Sequence, residues 1–141
     1  MTLPAPIGPA GPILGVGLDL VDVERFRAVM QRRPGLGRRI FTEAEIAYAT
    51  SHRSPWEHFA ARFAAKEATM KALGVGLGAF SLRDAEVERA SGGAPSMRLH
   101  AAADDLARQR GIGSFLCSLS HAGGFAQAVV IAQREPGGTT D

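Results

Sequence analysis

Leu14, Val16, Leu18 and Leu20 alternate with Gly15, Gly17 and Asp19, a period of two that predicts a strand with one apolar face. The opposite face then carries two glycines and a carboxylate. Glycine weakens a strand, so two at successive positions of one face imply that another backbone or a ligand comes close. Asp19 would stand beside that cleared space, or simply end the strand. Asp22 is placed to cap a helix whose apolar positions are Val23, Phe26, Val29 and Met30, and Pro34-Gly35 stops it. Thr42 and Glu45 have capping-box spacing and open a short helix through Ile46 and Tyr48.

The third helix has the clearest pattern: Trp56, Phe59, Ala60, Phe63, Met70 and Leu73 recur at helical spacing between Pro55 and Gly74. At about 100° per residue, Glu67 falls about 40° from Phe63 and so inside the apolar stripe. A carboxylate at a core-facing position needs a cation, and the candidates are Lys71 one turn on or a bound metal. Gly74, Gly76 and Gly78 form a loop after the lysine, the reverse of the order in a Walker-type phosphate loop. Ala85, Val87 and Arg89 alternate as a strand, Gly92-Gly93-Ala94-Pro95 turns the chain, and Met97 and Leu99 begin the return. A helix from Ala101 to Arg110 stops at Gly111. Phe115, Cys117, Leu119 and His121 share one face of the next strand, and after Ala122-Gly123-Gly124 the last strand runs from Phe125 to Ala132.

A chain of 141 residues with 45% hydrophobic and 21% charged residues is sized and composed for one globular domain. No apolar run approaches the ~20 residues that cross a bilayer. The start lacks a basic segment ahead of an apolar block, and the only thiol is Cys117, so neither a signal peptide nor a disulfide framework is expected and the location expected is the cytoplasm. Pro- and Gly-rich ends read as flexible, which divides the chain into a leader at 1–13, a domain at 14–133 and a tail at 134–141.

Net charge is only +2, yet Arg25, Arg27, Arg32, Arg33, Arg38 and Arg39 fall in one stretch free of Asp and Glu. That stretch is either a solvated basic surface or a dock for an acidic partner. It lacks interleaved aromatics, which argues against nucleic acid. Lysine is used only twice, at Lys66 and Lys71, against fourteen arginines. A compact ammonium meets a phosphate as a point charge where arginine presents a planar fork, so two lysines in this company hint at a chemical requirement. His121 sits where a strand ends and reads as a structural hydrogen bonder or a site residue. His52, His58 and His100 share no metal spacing with it or with Cys117.

Three segments, Gly15-Val16-Gly17-Leu18-Asp19-Leu20-Val21, Arg62-Phe63-Ala64-Ala65-Lys66-Glu67-Ala68 followed by Lys71, and Ser118-Leu119-Ser120-His121, together resemble holo-acyl-carrier-protein synthase, the short form of 4′-phosphopantetheinyl transferase. The resemblance runs from about Leu14 to Ala132. It implies an α+β fold, a small mainly antiparallel sheet packed against helices, assembled as a homotrimer with sites between protomers. It implies a Mg²⁺-dependent transfer of 4′-phosphopantetheine from coenzyme A to a serine of an acyl carrier protein, serving fatty acid synthesis and releasing adenosine 3′,5′-bisphosphate. Asp19 and Glu67 then hold Mg²⁺, Lys71 approaches the pyrophosphate, and Arg62 and His121 contact phosphates. Glu67 and Lys71 carry the catalytic roles, and Arg25 and Arg32 belong to the carrier-docking surface. Displacement at phosphorus needs a metal and cations to neutralise the phosphates and hold attacker and leaving group in line. The position after the motif histidine is Ala122, where some relatives have an acidic or hydroxyl residue, and the base for the serine proton is unassigned. The competing reading is a module that binds coenzyme A or an acidic partner without catalysis. A pure phosphate binder would gain nothing from two carboxylates beside the anion.

Overall fold

A computed structural model describes residues 11–89 and 93–137. Within them the chain forms β1 (Ile13–Asp22), α1 (Val23–Arg32), α2 (Leu36–Ile40), α3 (Glu43–Thr50), α4 (Pro55–Ala72), β2 (Ala85–Arg89), β3 (Pro95–Leu99), α5 (Ala101–Gln109), β4 (Ile112–Ala122) and β5 (Phe125–Arg134). β5 is the centre of a three-stranded antiparallel sheet of order β1-β5-β4, and β2 pairs with β3 in an antiparallel hairpin. The α+β arrangement follows the expectation from the sequence. Position 92 of the expected hairpin turn, most of the leader and the end of the tail lie outside the described residues.

Register sets what each face offers. Asp19 lies opposite Ala128, which lies opposite Leu119, and Val21, Ala126 and His121 form the next row. These rows and the Gly15 and Gly17 positions face α4. The buried side of α4 is built of alanine: Ala61, Ala64, Ala65, Ala68 and Ala72 are all nearly or wholly inaccessible. Helix and strand approach so closely that a Cβ on Gly15 or Gly17 would run into the carbonyl oxygens of Ala72 or Ala68. The glycines therefore clear room for a helix backbone and not for a ligand.

The apolar side of β1 is correspondingly not the core. Val16, Leu18 and Leu20 are 58%, 54% and 59% exposed, on the same sheet face as the exposed Leu116 and Phe125. A second packing centre lies under α1 and α2, where Phe26 meets Phe41, Trp56 and Phe63 with ring centroids 6.3, 6.4 and 5.1 Å apart. Asp22 caps α1 by accepting from the Arg25 amide at 3.0 Å, and both halves of the Thr42–Glu45 capping box form at the start of α3. The five-residue α2 lacks a hydrophobic period long enough to announce it in the sequence.

Candidate active site

Asp19 leaves β1 on its α4-facing side, and α4 brings Glu67 and Lys71 to the same edge of the sheet. Lys71 Nζ donates to Asp19 Oδ1 at 3.2 Å and to the Leu18 carbonyl at 2.9 Å. The lysine thus reaches across to the strand and forms no ion pair with Glu67, the partner that i,i+4 spacing offered. Glu67 is half-buried, at the rim and not in the core, because the deep side of α4 is the alanine stripe and the aromatic stripe holding Phe63 lies partly open. Burial and then the Asp19 charge push the Glu67 carboxyl above its ordinary range, against the pull of Lys71. A cation between the two carboxylates would relieve that repulsion.

Among the described residues no three His, Cys, Asp or Glu side chains are grouped to hold a metal. Two hard oxygen donors with room for water and phosphate oxygens suit Mg²⁺, which rarely takes an all-protein cage, and do not suit Zn²⁺. Asp19 and Glu67 open onto a groove of about 650 Å³ whose other walls include Arg25, Phe26, Val29, Met30 and Phe63. Arg25 and Arg32 are exposed on α1, as are Arg33, Arg38 and Arg39 beyond it. The groove therefore runs from the carboxylates onto the basic surface.

His121 and Arg62 lie elsewhere. His121 Nδ1 stands 3.3 Å from Glu57 Oε2, at the opposite end of α4 from Lys71. Arg62 and Glu67 are about 140° apart around the helix axis, so they look out from opposite flanks. Arg62 is only 2% exposed, with its guanidinium carbon 3.9 Å from the centre of the Tyr48 ring. Within this chain Arg62 is therefore covered by the Tyr48 ring. The chain brings Asp19, Glu67 and Lys71 together and leaves Arg62 and His121 on the other flank.

Two groupings were not legible in the sequence. His52 and His58 rings stack at 4.0 Å, and His58 meets His121 at 5.9 Å, so histidines without shared spacing meet in space. Lys66, the other lysine, is not in the site at all. Fully buried, it donates to Glu45 Oε1 at 2.7 Å and to the Leu82 and Ala85 carbonyls at 3.0 and 2.8 Å. Glu45 in turn accepts from the Val87 amide at 3.0 Å. The alanine spacing along α4 was the available signal: it marks the close-packed side, and Lys66 lies beside it.

The model of the 4′-phosphopantetheinyl transferase superfamily matches residues 15–130. A relative from Moorella thermoacetica called holo-[acyl-carrier-protein] synthase is 45% identical over 121 residues, 86% of this chain and 94% of its own length. The crystal structure of holo-[acyl-carrier-protein] synthase from Neisseria meningitidis superposes with a TM-score of 0.79 at 30% identity, covering 86% of this chain and 99% of that one. The Helicobacter pylori holo-[acyl-carrier-protein] synthase in complex with coenzyme A superposes at 0.72 and 30% identity, over 83% and 98% of the two chains.

Proposed function

The chain belongs to the 4′-phosphopantetheinyl transferase superfamily, and on that premise we infer that it transfers 4′-phosphopantetheine from coenzyme A to a serine of an acyl carrier protein. The observation that carries this reading is that Asp19 and Glu67 line the groove together while Lys71 reaches Asp19 from beside it. In the reaction a bond forms between the serine oxygen and phosphorus, the bond to the nucleotide oxygen breaks, and adenosine 3′,5′-bisphosphate leaves.

Each of the three residues has a part in that displacement. Asp19 and Glu67 would hold Mg²⁺, which when bound supplies positive charge to the phosphate oxygens. Lys71 is already within reach of Asp19 and half open to solvent, so its ammonium can turn to a phosphate without breaking the core. Its stem stays anchored on α4, which keeps the charge in place as negative charge builds on the leaving group. His121 lends a second contact for phosphate, and Arg62 adds its field from beneath Tyr48. Arg25 on the groove wall and Arg32, exposed on the same helix, dock the acidic carrier.

Assembly as a homotrimer is part of this reading. Support comes from the exposed apolar sheet face of Val16, Leu18, Leu20, Leu116 and Phe125, which a neighbouring copy would cover. The separation of the two flanks adds to it. A site shared between copies lets one protomer's Asp19, Glu67 and Lys71 face another's His121 and Arg62. Among the described residues no helix is long and apolar enough to cross a membrane, and the inferred work, activation of a carrier for fatty acid synthesis, belongs to the cytoplasm.

Mass spectrometry tests the reading directly. A carrier protein incubated with coenzyme A, Mg²⁺ and this chain should gain one phosphopantetheine on its serine. Binding of coenzyme A with no gain in carrier mass would favour the non-catalytic binding module.

A further inference from the structure

Arg62 presents an unusual balance of charge. The residue is only 2% exposed, and its Nε has no hydrogen-bond partner among the described residues. Arg89 lies on the same ring, its guanidinium carbon 5.2 Å from the Tyr48 centroid against 3.9 Å for Arg62. Among the described residues neither arginine has a carboxylate within ion-pair distance. The Tyr48 ring also stands 4.4 Å from His52 and edge-on to His58 at 5.6 Å. Two guanidiniums and two imidazoles thus converge on one neutral phenol.

A buried guanidinium without a counter-ion is costly, and the negative face of an aromatic ring is a partial substitute. Burial, then the neighbouring His52 and Arg62 charges, lowers the His58 pKa, and the Glu57 carboxylate on this flank lies against His121, at 3.3 Å from its Nδ1. Tyr48 stands among these groups from the last turn of α3, half-buried, two residues before the helix ends. Rotation of its side chain can carry the ring to solvent and leave the helix backbone, where the Tyr48 carbonyl lies 2.7 Å from His52 Nδ1, in place.

We propose that Tyr48 is a displaceable stand-in for a phosphate group of the nucleotide, a specificity-determining residue that covers Arg62 until a phosphate takes the ring's place between Arg62 and Arg89. This rests on the transferase reading above. The ring keeps Arg62 paired in the empty protein and excludes ligands too weakly charged to displace it. A phosphate dianion satisfies the orphaned Nε and both guanidiniums, with His58 and His121 beside it, which a phenol face cannot do.

Tyr48 is the chain's single tyrosine, so full-length protein made with 3-fluorotyrosine gives one ¹⁹F resonance that reports this ring alone. Adding adenosine 3′,5′-bisphosphate should move the resonance to the position of an exposed fluorotyrosine, with the solvent isotope effect of a hydrated ring. Calorimetry should show Tyr48→Ala binding the bisphosphate on the order of tenfold more tightly than wild type, because the competing ring is gone. Tyr48→Phe should bind as wild type within about twofold, since the π face remains. A resonance that becomes less exposed, or weaker binding by Tyr48→Ala, would make Tyr48 a stacking platform and overturn the proposal. If Tyr48→Ala does not fold, the wild-type resonance decides alone. Absence of bisphosphate binding by wild type, together with no carrier modification, overturns the transferase reading as well. Binding with an unmoved resonance overturns the stand-in alone.

Discussion

Lys66 and Lys71 stand five residues apart on one helix and each holds a carboxylate, Glu45 at 2.7 Å and Asp19 at 3.2 Å. The Lys66 and Glu45 side chains are wholly inaccessible, whereas Lys71 is 54% and Asp19 19% exposed. Around Lys66 three acceptors satisfy the three ammonium protons and tie α4 to α3 and to the start of β2. Lys71 has one carboxylate, one carbonyl and open water. The buried pair has no spare capacity for a ligand, and the open pair can exchange its carboxylate for a phosphate at little cost. Chemistry therefore depends less on which residues form a pair than on what surrounds it.

The largest expected effect tests the buried half of this contrast. Lys66→Ala leaves Glu45 charged and unpaired in the core, and chemical denaturation should show a loss of about 3–5 kcal/mol. A loss below about 1 kcal/mol would place Lys66 on the same footing as a surface pair.

Lys71→Ala tests the open half. Stability should fall by less than about 1 kcal/mol, while turnover in the carrier assay should fall about 10²–10³-fold, the scale of removing one stabiliser of developing charge. A melting temperature that drops in step with activity would instead make Lys71 structural. Lys71→Arg sharpens the point: charge survives and shape does not, so turnover should still fall markedly with the fold intact.

The contrast between buried and open cations extends to arginine, with Arg62 covered and Arg25 and Arg32 exposed. Reversing Arg25 and Arg32 together to Glu should raise the KM for the carrier several-fold and flatten its salt dependence, because exposed charge acts through screened attraction. The KM for coenzyme A should hardly change. A rise in the coenzyme A value alone would assign the patch to the nucleotide.

The smallest effect concerns pH. Burial and Asp19 raise the folded-state pKa of Glu67 above its unfolded value, so the folded protein holds this proton more tightly. Its contribution to stability is present at acid pH and is lost as pH rises from the unfolded toward the folded value. Glu67→Gln in metal-free buffer should therefore be more stable than wild type at pH 7, by less than about 1 kcal/mol given its partial exposure and screening. The gain should vanish at pH 4. The same variant should lose the stabilisation that Mg²⁺ with coenzyme A gives wild type. A Gln variant less stable at pH 7 would mean that Glu67 has a cationic partner in the chain itself.

Local pattern was enough for most of the elements. Period-two alternation found β1 and β4, the capping box found the start of α3, and helical spacing set Glu67 beside the apolar stripe of α4, while the proposed grouping of Asp19, Glu67 and Lys71 came from the family resemblance. What local pattern misjudged was direction. Val16, Leu18 and Leu20 are apolar and face outward, because α4 approaches the glycine side of β1 and alanine lets it come near.

The sequence by itself determined which groups this protein owns: two glycines spaced for a close approach, the two carboxylates and the lysine proposed for a phosphate site, and the arginine-rich stretch proposed to meet a partner. Only tertiary structure decided which of them share a surface. Residues 45 and 66, or 52, 58 and 121, come together because helix packing and strand register bring distant segments into contact. Neither is encoded in the spacing of those residues. Burial then sorts chemically identical side chains, since an ammonium stripped of water must satisfy every proton within the protein while one at the rim can wait for a ligand.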